Sequence, residues 1–106
     1  MSVSTINIPA SLNLDPITVY VNDAEPGRGG IIVCCFGLAW SCFWGAMGGG
    51  STVRQFLATS DEHYVANCLI RARRQFISSR KAEEREIAYL TSICAQVIRA
   101  VKEPVA

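Results

Sequence analysis

Residues 29–53 contain no charged side chain, and Arg28 and Arg54 bracket the run. No other feature restricts the fold as strongly. A run of this length either crosses a bilayer as one helix or folds back on itself inside a core. The glycines decide between them. Gly29 and Gly30 open the run, Gly37 interrupts it and Gly48, Gly49 and Gly50 lie near its end, and interior glycine weakens a helix. Trp40 and Trp44 would sit at or past the bilayer centre, whereas membrane tryptophans gather at the two interfaces. Arginine on both flanks specifies no orientation. The run is expected to be pleated and water-soluble, with no membrane as partner.

Its flanks support strands. In "PITVYVND", Ile17, Val19 and Val21 alternate with Thr18, Tyr20 and Asn22, the period of a half-buried strand. "AEPGRGG" reads as a loop, "IIVCCF" as a short β-branched strand, "GLA" as a turn and "WSCFW" as a further strand. Trp40, Cys42 and Trp44 should share one face, with Ser41 and Phe43 on the other. This makes a three-stranded antiparallel meander, with "STINIP" near the start as a candidate fourth strand.

After "GAMGGG" the period becomes helical. Ser51 or Thr52 suits the cap of a short helix with Val53, Phe56 and Leu57 inward. A second helix is expected from "TSDEHYVANCLIRARRQF", with Thr59 and Glu62 at capping-box spacing. Tyr64, Val65, Cys68, Leu69 and Ala72 form its stripe. "SSRKAEER" reads as a break, with a continuous helix as the alternative. Ile87, Leu90, Cys94, Val97, Ile98 and Val101 then mark a third helix, stopped by Pro104. Strands first and helices afterwards give an α+β fold: a meander of three to four strands over about residues 3–45. Two to three helices over about residues 51–103 pack on it, all within one domain, 1–106.

Composition narrows function mainly by exclusion. Ten basic residues stand against nine acidic ones, so no whole-molecule field attracts nucleic acid. The start "MSVSTINIPASLNLDP" lacks the basic segment and apolar run of a secretory signal. The five cysteines suit free thiols in a reducing cytoplasm. No CxxC or HxxxH spacing points to a metal, and no cofactor is expected. His63 is the sole histidine. A thiol enzyme would need Cys42 beside it, which is a weaker reading than no catalysis. "GAMGGGST" lacks the phosphate-loop lysine, because Gly50 stands in that place, so its glycines are expected to turn the chain from sheet to helix. The residues most suited to contacting a partner are Arg71, Arg73, Arg74, Arg80, Lys81 and Arg85. Glu83, Glu84 and Glu86 dilute their field for nucleic acid. The two tryptophans and the apolar strand faces leave the choice between monomer and homodimer open.

Trp40, the block Trp44-Gly45-Ala46-Met47-Gly48, Thr52, Phe56 and Tyr64 resemble a pattern in short proteins of temperate phages and prophages. The resemblance spans about a third of the chain and carries no catalytic motif. It implies a bacterial cytoplasmic setting and an accessory phage role. In size and lack of motifs the chain is also similar to inhibitors of CRISPR–Cas immunity. The expected function is stoichiometric binding to a host protein complex such as a CRISPR–Cas effector. The alternative is a nucleic-acid-binding accessory of phage replication or regulation.

Overall fold

Alternation in the first half of the chain produces four strands: β1 (Ser2–Ile8), β2 (Ile17–Glu25), β3 (Arg28–Cys35) and β4 (Leu38–Trp44). The computed structural model of the protein describes residues 2–11, 14–72 and 80–102. The strands form one antiparallel sheet in the order β1-β2-β3-β4. Helices α1 (Val53–Ala58), α2 (Glu62–Ala72) and α3 (Arg80–Lys102) follow, so the fold is the α+β arrangement expected, with the candidate fourth strand present as β1.

Register assigns each residue to a face. Ile6 pairs with Val19, Val19 with Val33 and Val33 with Trp40, and all four are buried. One residue along each strand, Thr5 pairs with Tyr20, Tyr20 with Ile32 and Ile32 with Ser41, and all four are exposed. Trp40 and Trp44 turn inward while Ser41 and Phe43 turn outward, as the alternation predicts. The helices complete the core from the inner side with Val53, Leu57, Val65, Leu69, Leu90, Ile93 and Val97. No described helix is long and apolar enough to cross a membrane.

The turns differ from their expected positions. The loop expected over "AEPGRGG" shrinks to Pro26–Gly27, because β2 runs to Glu25 and β3 begins at Arg28. Gly29 and Gly30 belong to the strand, and each permits a close approach. A Cβ on Gly29 would stand 2.6 Å from Val53 Cγ2, and one on Gly30 would stand 3.2 Å from Cδ2 of Phe43. The turn expected at "GLA" is instead Phe36–Gly37, both with positive φ (53° and 75°), the twist that two-residue hairpins favour.

The helix starts also differ in part. Thr52 caps α1 as expected, in a capping box with Gln55. Val53 N–H donates to Asp23 Oδ1 at 2.7 Å, so a carboxylate of β2 already occupies this helix start. The glycine-rich loop before it is pinned to the β2–β3 turn, with Met47 N–H donating to the Gly27 carbonyl and Gly27 N–H to that of Ser51. Thr59 does not cap α2. It closes α1 through a bond from its hydroxyl to the Phe56 carbonyl, while Asp61 accepts from His63 N–H at the start of α2. Of the break expected at "SSRKAEER", Ser78 and Ser79 lie outside the described residues, and Arg80 onward is helix. Propensity explains this, since Arg, Lys, Ala and Glu are all strong helix formers.

Candidate functional site: the β3–β4 hairpin tip and the start of α3

Phe36 is the most exposed large apolar residue described, at 73%, and Leu38 beside it is 51% exposed. Both stand at the β3–β4 turn. Phe36 also holds φ at +53°, where a Cβ-bearing residue costs about 1 kcal/mol or more relative to glycine. Asparagine or glycine would fit that position without strain. The chain therefore presents a phenyl ring to water from a strained backbone, a combination typical of residues kept for contact.

The tip rests on a firm base. Trp40 Nε1 donates to Glu86 Oε2 at 2.9 Å, and the Trp40 and Tyr89 rings meet edge-on at 5.9 Å. Tyr89 Oη donates to Cys35 Sγ at 3.3 Å, and Cys35 Sγ contacts the Asp15 carbonyl at 3.7 Å. The Cys35 thiol, then burial, push the Tyr89 phenol up to about 12. These contacts fasten α3 across the hairpin end of the sheet. Glu86 and Tyr89 thus hold α3 against Trp40 of β4, with the first turns of the helix preceding them in the chain.

Those turns carry part of the cationic set expected from sequence. Arg80, Lys81 and Arg85 are exposed in α3, and Arg71 is exposed in the last turn of α2. Arg73 and Arg74 lie outside the described residues. The sequence of α3 interleaves acids with the cations: Arg80 Nε lies 3.6 Å from Glu84 Oε1, and Arg85 Nε donates to the Lys81 carbonyl. An exposed pair of this kind contributes little stability, which leaves these side chains adaptable for contact.

The thiols are placed differently. Cys42 lies on the inner face of β4, and Cys68 and Cys94 come from α2 and α3. Burial, followed by the Cys68 and Cys94 thiols, pushes Cys42 up to about 12. Burial likewise raises Cys94 to about 12. At neutral pH such thiols stay protonated and are poor nucleophiles. Among the described residues no hydrogen bond joins Cys42 to His63, which is exposed at the start of α2. No described group of His, Cys, Asp or Glu is arranged to hold a metal ion.

Two further features were not legible as surface features. The outer face of the sheet exposes Val3, Tyr20, Ile32 and Phe43 at 65%, 44%, 46% and 54%, and no described helix lies across it. A depression of about 370 Å³ runs there between Asn22, Ile32, Ser41, Phe43 and Ala72. Asn22 Oδ1 is shut off from water with no hydrogen-bond partner. The residues that carry the phage resemblance have packing roles: Trp44 and Phe56 ring centroids lie 5.1 Å apart, Phe56 and Tyr64 6.3 Å apart.

No curated protein and no solved structure is significantly similar to the chain. A profile described as a phage family, Phage_phiTE_072, matches residues 1–98. That span takes in the whole sheet, the hairpin tip and nearly all of α3. With an α+β fold matched over almost its full length, the chain belongs to this phage family.

Proposed function

We propose that the protein is a non-catalytic phage accessory protein that binds a host protein complex stoichiometrically, with the β3–β4 tip as its anchor. The observation that supports this most is Phe36, exposed and strained at once. A rigid aromatic ring entering a partner pocket is the usual centre of a binding hot spot. Arg80, Lys81 and Arg85 at the start of α3 would steer the tip toward a pocket rimmed by acidic groups. A host defence complex of the CRISPR–Cas type is the specific partner we propose.

Protein is favoured over nucleic acid because acids alternate with the cations of α3 and the net charge is only +1. A phosphate-tracking surface needs cations without such neighbours.

The test is expression in a CRISPR-competent bacterium challenged with a phage that its effector restricts. Restored plaquing is expected, together with one-to-one co-purification with the effector. Phe36→Asp should abolish both while far-ultraviolet circular dichroism stays unchanged. Undiminished restriction by every system tried removes the CRISPR reading. Full activity in folded Phe36→Asp removes the tip as anchor.

A further inference from the structure

The open face of the sheet lies apart from the hairpin tip, and its composition identifies what suits it. Its central row is Thr5, Tyr20, Ile32 and Ser41, flanked by Val3 and Phe43. Apart from Arg28 and its partner Glu25 at the β2–β3 end, the outward residues of the four strands are uncharged. Arg28 stands at the rim. Its guanidinium lies 5.9 Å from the Phe43 ring centre and 3.5 Å from Glu25.

We infer that this face is a homodimer interface, in which the sheets of two copies pack face to face. Area is the first reason. Four strands of about seven residues have a footprint of roughly 19 by 23 Å. Two such faces, with their side-chain relief, bury on the order of 1,000–1,200 Å² in total, the lower end of what specific complexes use. The exposed apolar part of one face, on the order of 400 Å², matches the largest patch of an ordinary monomer, which is often a contact surface.

Charge is the second reason. A two-fold interface sets a patch against its own copy, so a charge near the axis confronts itself. Away from the Arg28–Glu25 rim the described rows of this face hold none, so its centre suits its own copy. A nucleic acid would require cations near the aromatic rings to meet its phosphates, and Arg28 alone, paired with Glu25, supplies too little. A heterologous protein is ordinarily selected by a charge pattern, which these rows lack. The interface is small enough to be exchangeable, so the dimer forms in the micromolar range.

Sedimentation equilibrium from low micromolar to several hundred micromolar full-length protein tests this. A monomer–dimer equilibrium is expected in the wild type. Ile32→Glu should raise the dissociation constant by at least about a hundredfold, because a carboxylate would be buried against its own copy. Phe36→Asp, at the tip, should leave the constant unchanged. In the wild type, labelling of Cys34, which pairs with Thr18 and Ala39 in an outward row, should slow as protein concentration rises. This second readout holds if Ile32→Glu fails to fold. A monomer at every concentration overturns the inference, as does a dimer that survives in folded Ile32→Glu. Concentration-independent labelling of Cys34 overturns it too. Binding of a single-stranded oligonucleotide to a strictly monomeric protein would assign the face to nucleic acid instead.

Discussion

The two faces of the sheet are made from the same strands and differ in almost every physical respect. Ile31 and Ile32 are neighbours in β3, yet Ile31 is 3% exposed and Ile32 46%. The inner face holds Val19, Val21 and Val33 under three helices, and the outer face sets Tyr20, Ile32 and Phe43 against water. Burial gives the inner face its stability. The outer face leaves about half of each of these side chains in water, so it adds less to the monomer, and this is what suits it to contact.

That contrast is sharpest in a matched pair of substitutions. Ile31→Ala should cost about 3 kcal/mol in chemical denaturation, through lost transfer energy and a cavity. Ile32→Ala should cost only about 0.5 kcal/mol at concentrations where the chain is monomeric. Equal losses would mean that the outer face is packed in the monomer, and the contrast would fail.

Alkaline pH probes the groups buried on the inner face. Cys42, Cys94 and Tyr89 all titrate near 12 in the folded chain, against ordinary values of 9.0 for the thiols and 10.0 for the phenol. Folding holds these protons more tightly, so their contribution is complete below pH 9 and is lost as pH rises toward 12. The melting temperature should be level up to about pH 8 and fall steeply above pH 9. Cys94→Ala should flatten that fall, whatever its own effect at neutral pH. A fall unchanged by Cys94→Ala would place the responsible groups elsewhere.

Trp40→Phe separates helix docking from burial. It keeps the ring on the inner face and removes the bond to Glu86, which should cost about 1.5 kcal/mol because the acceptor is ionised. Amide exchange should quicken selectively in the first turns of α3. The smallest expected effect has the opposite sign. Phe36→Asn should stabilise the hairpin by about 1 kcal/mol by relieving the strained backbone, while weakening capture of the host partner. Stabilisation without loss of binding would show that the ring at the tip serves no contact.

Much of the scaffold is legible in the sequence. Alternation in "ITVYVND" and "WSCFW" assigned faces correctly down to Trp40, Ser41 and Phe43, and the three- and four-residue steps from Leu90 to Ile98 located the buried stripe of α3. The errors fell at boundaries. Gly29 and Gly30 looked like loop because glycine ordinarily punctuates, whereas here the Asn22 carbonyl with Val53, and the Cys42 carbonyl with Phe43, fill the space a Cβ would need. Thr59 looked like an N-cap because its spacing to Glu62 was right, but the preceding helix had already claimed its hydroxyl. Phe36 carried no signal at all, since an aromatic residue in a two-residue turn is disfavoured by every local rule.

The candidate surfaces were legible only in part. The cations of α3 could be found by counting, and their exposure follows from their charge. That Phe36 projects from a strained turn, or that one sheet face stays bare, depends on where the helices lie. Local periodicity is set by backbone geometry and hydrophobic burial, which act over a few residues, so the sequence alone determined the strands, the helices and most inward-facing residues. Tyr64 and Ala72 of the expected α2 stripe are exposed, and Ala66 is buried instead. Which face three short helices cover is settled by long-range packing, through contacts such as Val53 on Gly29 and Trp40 with Glu86. Only the tertiary structure could therefore decide what was left exposed for another molecule to meet.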